Sequence, residues 1–288
     1  MKILITGADG LLGRRLVEQL AHIHEIHAMV HSPPSTPFDG VTYHIIDLAE
    51  TDSFNFLPSK IDAIIHLAQS SRFREFPEQA MNVFHVNIAS TARLLEYARQ
   101  SGVRNFILAS SGGIYGAGKE AFKENAIIQH HGQLGYYLGS KLCSEVLAQN
   151  YSSLMNISVL RFFFIYGKGQ KRSMLIPRLI DNVIGGQTIT IQGDDGLWIN
   201  PIHVSDAAAA VEKCLSLKGS HTFNIAGAQV MSLRVIAQTI GNAVGREPIL
   251  KIEQTEPRNL IANIDALCEK LVAPEVKFSQ GLLELLPS

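Results

Sequence analysis

The sequence predicts a doubly wound α/β fold, a parallel sheet covered by helices on both faces, followed by a smaller C-terminal α/β part. Three observations predict it. Short apolar runs alternate with amphipathic helical patterns from residue 2 to about residue 166, and alternation of that kind builds βαβ units and hence parallel strands. The first run opens directly into glycines at positions 7, 10 and 13. Beyond Tyr166-Gly167 the alternation becomes irregular. That change sets a first domain at 1–166 and a second at 167–288, with some elements of the second returning to the first.

Residues 2–5 read as a short buried strand. The G-x-x-G-x-x-G spacing after it differs from the G-x-G-x-x-G of most dinucleotide folds but meets the same needs. Glycines permit a tight turn, let backbone N–H groups approach a pyrophosphate, and let helix pack closely on strand. The positive end of the next helix then faces the phosphates. Leu11, Leu12, Leu16, Val17 and Leu20 recur at helical spacing, to about residue 22. A second strand runs from Ile26 to Val30, and Pro33, Pro34 and Pro37 mark the loop behind it. Apolar runs follow at 42–46, 61–67, 104–109 and 156–161, separated by helical patterns that include 83–100 and 135–151. Gly112 to Gly118 reads as another loop. In the second part, helices near 174–184, 205–216 and 232–244 mix with short strands near 188–191 and 221–225. Ligands of such sheets sit beyond the carboxyl ends of the strands.

A formal net charge of −1 predicts no attraction to nucleic acid or anionic membrane. No apolar run approaches the ~18–20 residues of a membrane span. The chain enters its first strand at Lys2, so no signal peptide and a cytoplasmic location are expected. Cys143, Cys214 and Cys268 are far apart and odd in number, which fits neither a disulfide framework nor a zinc site, so they read as structural fillers.

Tyr137-Leu-Gly-Ser-Lys141 carries the second signal. Tyrosine and lysine four apart share one helix face, and a nearby ammonium favours the phenolate, drawing the phenol toward the range of a general acid/base. Tyr136 has no lysine at the same offset. Upstream, Phe106-Ile-Leu-Ala-Ser-Ser-Gly-Gly-Ile-Tyr-Gly116 runs from a strand into hydroxyls at the carboxyl edge of the sheet, where a carbonyl would be polarised.

With these residues in place the chain resembles the extended short-chain dehydrogenase/reductase family, the NAD(P)-dependent epimerase/dehydratase group with its Rossmann-type sheet. The likeness runs nearly the full length. It includes Thr6-Gly-x-x-Gly-x-x-Gly13, Asp47-Leu48, His66-Leu-Ala-Gln69, Asn87, Ser110-Ser-x-x-Ile-Tyr-Gly116, Tyr137-x-x-x-Lys141, Arg161, Tyr166-Gly167, Ile202-His-Val-x-Asp206 and Phe223-Asn-Ile225. The resemblance implies that Tyr137 is the acid/base, that Lys141 is its partner and a ribose contact, and that Ser111 bonds the reacting oxygen. Gly7, Gly10, Leu11, Leu12 and Gly13 would hold the pyrophosphate, and His31, Ser32, Asp47 and Leu48 the adenosine end. Leu67, Ala68, Gln69, Asn87 and Ala109 would line the cofactor's path, with Phe162 and Phe163 at the nicotinamide. Asn87 could equally tie two helices together, and His203 reads better as a packed histidine than as a catalyst. No metal is implied. A homodimer through the helices at 83–100 and 135–151 is.

Departures narrow the reading. Strand two of the family ends in an acid that selects NAD; His31-Ser32 stands there instead, so NADP is admitted and slightly favoured. Nucleotide-sugar enzymes of the family hold the diphosphate with Asn three after the position of Arg161 and Arg four before that of His203. Those places are Phe164 and Ile199, and a diphosphate buried without partners is costly. Lys168, Lys171, Arg172 and Arg258 could compensate, with Arg172 and Arg258 the substrate-binding candidates. Gly112 and Gly113 occupy the positions where dehydratases and 3,5-epimerases carry an extra base. The expected function is therefore an oxidoreductase or isomerase acting on a sugar-like carbinol, a nucleotide-sugar 4-epimerase or 4-ketoreductase. Alternatives are a carbonyl reductase on a non-nucleotide substrate and a silent dinucleotide-sensing protein.

Overall fold

The computed structural model describes residues 1–51 and 54–287. Its first strand, β1 (Lys2–Thr6), is apolar on both faces. Ile3, Leu4 and Ile5 are fully buried, as a strand covered by helices on both sides requires. There follow α1 (Leu11–Leu20), β2 (Glu25–Val30), β3 (Val41–Ile45), β4 (Ala63–His66), α2 (Ala80–Val83), a π-helical turn (Phe84–Ala89), α3 (Ser90–Gln100) and β5 (Asn105–Ser111). Next come α4 (Gly135–Gln149), β6 (Asn156–Phe162), β7 (Ile165–Tyr166), α5 (Leu175–Gly185), β8 (Ile189–Gln192), β9 (Trp198–Ile199), β10 (Ile202–His203) and α6 (Val204–Cys214). The chain closes with β11 (Ser220–Ile225), β12 (Met231–Ser232), α7 (Leu233–Val244), β13 (Leu250–Glu253), α8 (Asp265–Lys270) and α9 (Phe278–Leu282).

The main sheet has seven strands in the order β11-β6-β5-β4-β1-β2-β3. From β3 across to β5 the pairs are parallel, with Ile3 opposite Ile26 on one side and Ala63 on the other. Strand order reverses at β1, so the switch point lies between β1 and β4, where the carboxyl ends diverge and leave room for a ligand.

Two compact units result: residues 1–114, 128–161 and 211–223 form one, and 115–127, 162–210 and 224–288 the other. A single boundary after 166 is thus too simple, since 115–127 go with the second unit and 211–223 with the first. The strand expected near 221–225 in the second part is β11, an edge of the seven-stranded sheet beside β6. A strand that pairs with a partner some sixty residues earlier leaves no local trace of that pairing. The first unit's core includes Leu4, Met29, Ile64, Leu94, Leu95, Phe106 and Ile157. The second packs α5, α7 and α9 through Ile180, Ile236, Ile240 and Leu282.

The helix expected over 83–100 is continuous but carries the π-helical turn at its start. The loop expected from Gly112 begins as a 3-10 turn, Gly112–Tyr115. Of the cysteines, Cys214 is buried while Cys143 and Cys268 are exposed, so only Cys214 fits the role of filler. Among the described residues no helix is long and apolar enough to cross a membrane.

Candidate active site

The carboxyl ends of β1, β4 and β5 bring Thr6, His66 and Ser111 to one edge of the sheet. Behind that edge runs a buried polar chain. Thr6 Oγ1 lies 2.7 Å from His66 Nδ1, His66 Nε2 lies 3.0 Å from Thr91 Oγ1, and Thr91 donates to the Asn87 carbonyl at 2.6 Å. Burial, aided by the Lys141 charge, lowers the His66 pKa to about 3. The imidazole is thus a neutral link that fixes β1 and β4 against α3.

The turn after β1 fits a dinucleotide on its own chemistry. Gly7 has φ 66°, and a Cβ there would lie 2.9 Å from the Ala68 backbone. A Cβ on Gly13 would lie 2.1 Å from the Gly7 carbonyl oxygen. Strand, turn and helix therefore pack closer than any side chain allows. The N-cap of α1, Gly10, supplies no side-chain cap, and the first turn holds no acid. Its leading N–H groups and its positive end suit a phosphate.

Tyr137 and Lys141 both lie on α4. The Tyr137 phenol donates to Gln69 Oε1 at 2.9 Å, and the Phe73 ring stands 4.8 Å away. Burial pushes the phenol up to about 12, against a hydrogen bond from Ser111 and the charge of Arg74, which draw it down. The Lys141 ammonium is buried and donates to the Ala109 carbonyl at 3.0 Å. Burial lowers it to about 8, offset in part by the Glu145 carboxylate. The expectation that Lys141 draws the phenol down is not met: the ammonium is engaged with β5, and the groups acting on the phenol are Ser111 and Arg74.

The other candidates divide. Gln69 reaches the phenol, and Leu67 and Ala68 are anchored through their N–H groups to Thr6, at 3.3 Å on its carbonyl and 3.1 Å on its hydroxyl. Ala109 contributes its carbonyl. His31 is exposed at the end of β2, beside Ser32, with Nδ1 3.9 Å from the Asp47 carboxylate. Leu12 and Leu48 are buried, Leu48 within the core, whereas Leu11 is half-buried; Leu11 and Leu12 open α1 and offer their N–H groups. Asn87 is also committed. It accepts from Ser70 N at 2.9 Å and donates to Ser140 Oγ at 2.8 Å, the tie between helices that was its other reading.

In the second unit, Phe162 ends β6, while Phe163 is buried among Tyr115, Ala226 and Ala262. Its ring packs within that cluster. Phe164 has φ 43°, a region where a bulky side chain is strained. Ile199 is wholly buried, paired in β9 with Met231. Both apolar replacements are absorbed by packing. Arg172 forms an ion pair with Asp181, and Arg258 stands exposed on a separate stretch. His203 is buried with Nδ1 2.7 Å from Ser205 Oγ, as a packed histidine should be.

Sequence reasoning missed Glu145, Arg161 as its partner, and Ser110. Glu145 accepts a short hydrogen bond from the Ser110 hydroxyl and bonds from Arg161 Nε and Nη2, the latter at 2.7 Å. The signal that could have found Glu145 is the repeat Tyr137, Lys141, Glu145, each one helical turn from the last.

A Rossmann-type sheet with a glycine turn and a Ser, Tyr and Lys set at its carboxyl edge defines a dinucleotide-dependent enzyme class. The sequence matches the NAD dependent epimerase/dehydratase family over residues 3–226, and the chain belongs to that family. It is 29% identical to an uncharacterized UDP-glucose epimerase, YtcB, of Bacillus subtilis, over 98% of this chain and 96% of the relative. It is 24% identical to the dTDP-4-dehydro-6-deoxy-D-allose reductase of a Streptomyces species, over 88% of this chain and 85% of the relative. Among solved structures it resembles the UDP-glucuronic acid 4-epimerase of Bacillus cereus in complex with UDP-glucuronic acid and NAD. That likeness has a TM-score of 0.86 and 25% identity over 99% of this chain and 97% of the other.

Proposed function

We propose that this chain is a nucleotide-sugar 4-epimerase or 4-ketoreductase. The observation that carries the reading is the Tyr137 phenol, drawn down by Ser111 at the carboxyl edge of β5 and bonded to Gln69, with the buried Lys141 one helical turn behind it. A nicotinamide cofactor supplies a hydride donor and acceptor. The protein's part is to bind the pyrophosphate on the turn Gly7 to Gly13, to hold the reacting oxygen with Ser111, and to exchange its proton through Tyr137. Gly112 and Gly113 offer no further base, so chemistry is confined to one carbinol.

NAD is the cofactor we favour. Solved relatives carry it, and the Asp47 carboxylate stands close enough to His31 to oppose a 2′-phosphate unless the imidazole is protonated. NADP is the second cofactor to test. A cytoplasmic homodimer through α3 and α4 completes the proposal.

The test is to purify the protein, identify the nucleotide that accompanies it and its redox state, and incubate it with UDP-glucose, UDP-glucuronate and a dTDP-4-keto sugar. Retained NAD with interconversion of 4-epimers supports the epimerase, and exchangeable reduced cofactor consumed with the keto sugar supports the reductase. No turnover of any of the three, with cofactor bound, would overturn the nucleotide-sugar reading.

A further inference from the structure

Glu145 lies beyond the Ser, Tyr and Lys set, yet it is the one carboxylate of α4 and is buried. Glu145, Arg161, Ser110 and Lys141 are each no more than 6% exposed. Lys141 and Glu145 stand one turn apart on α4 and bond consecutive residues of β5, the Ala109 carbonyl and the Ser110 hydroxyl. From the next strand, β6, Arg161 fixes the same carboxylate through Nε at 3.1 Å and Nη2 at 2.7 Å. One carboxylate thus ties the helix carrying Tyr137 and Lys141 to the strand that ends in Ser111.

We propose that Glu145 is a positioning residue. Its carboxylate locks α4 in register on β5 and β6 and supplies the counter-charge that keeps the buried Lys141 ammonium protonated. The inference rests on the catalytic reading of Tyr137 and Lys141 given above.

The groups around Lys141 leave little else to do this. β5 contributes no charged side chain. His66 on β4 is held neutral. The π-helical turn and α3 face α4 with Asn87 and Thr91, both uncharged, and His85 is the titratable residue of that turn. Tyr137 stays protonated, and Arg161 is itself a cation. Glu145 is therefore the anion that opposes the burial of Lys141, and Arg161 shares it.

Two variants separate this from a structural tie. Glu145→Gln keeps the shape and removes the charge; Arg161→Gln removes the other cation that shares the carboxylate, which keeps its bond from Ser110. With lysine labelled at Cε and Lys141 assigned through its Met variant, NMR titration should show Lys141 losing its proton at least about one pH unit lower in Glu145→Gln. In Arg161→Gln it should do so higher. The alkaline limb of kcat should move the same way, with KM for the sugar little changed. Should either single variant fail to fold because a buried charge is left unpaired, the double variant Glu145→Gln/Arg161→Gln, in which the ion pair is removed as a unit and Lys141 is left without its anion, decides and should titrate low. An unshifted Lys141 titration in folded protein, or a set in which none of the three folds, would assign Glu145 to stability alone and overturn the proposal. A fully active Tyr137→Phe enzyme would instead defeat the catalytic reading, whatever the NMR shows.

Discussion

Tyr136 and Tyr137 are neighbours in α4 with different surroundings, and the difference decides which can exchange a proton. Tyr136 stacks on Phe76 with ring centroids 5.1 Å apart. Tyr137 is bonded to Gln69 and Ser111. With its pKa pushed up to about 12, the Tyr137 phenol is protonated near neutral pH and so begins as a donor, suited to giving a proton to an oxygen that receives a hydride. Tyr137→Phe removes one oxygen and little packing, so the melting temperature and the Kd for cofactor should barely move. Turnover should fall by at least ~10²-fold, the usual contribution of a positioned acid/base. Tyr136→Phe should keep most of its turnover. Equal losses in the two variants, measured as kcat under saturating substrate, would remove Tyr137 from the chemistry.

At the scale of elements, the glycine turn and α4 were not equally legible. G-x-x-G-x-x-G announces itself by its spacing, and the structure ranks the three positions by the room they leave. A Cβ on Gly13 collides with the Gly7 carbonyl oxygen at 2.1 Å, whereas on Gly10 it would stand 3.1 Å from the same atom. Gly13→Ala should therefore cost stability outright, with a lower melting temperature before any ligand is added. Gly10→Ala should fold nearly normally and weaken cofactor binding, as read by fluorescence titration, because the added methyl stands at the uncapped start of α1. Full affinity in Gly10→Ala would place the pyrophosphate elsewhere. In α4 the sequence pattern revealed Tyr137 and Lys141 but not where the ammonium would go. That depended on the Ala109 carbonyl, which no spacing rule exposes.

Over the whole molecule, alternation of apolar runs made the sheet readable because each βαβ unit is local, whereas β11 was misplaced because its neighbour β6 is remote in sequence. Leu12, Leu48 and Phe163 were assigned to the cofactor from their positions in motifs, which do not show that their side chains are also buried. Lys141 shows how such a site weighs on the fold. Its pKa in the folded chain is about 8, below the ordinary 10.5. Between those values the unfolded chain binds more protons than the folded one, so the lysine's penalty on stability is complete below pH 8, shrinks as pH rises, and is gone above 10.5. The shift corresponds to a penalty on the order of 3 kcal/mol. Lys141→Met keeps the length, deletes the charge and loses one hydrogen bond to Ala109, worth about 1 kcal/mol. The variant should therefore be the more stable protein near neutral pH, by roughly 2 kcal/mol and a few degrees in Tm. That advantage should close as pH is raised through the window, since the wild type then sheds its buried charge. Melting curves of both proteins across that range test it. A difference that stays constant with pH would mean the ammonium is not what the fold opposes.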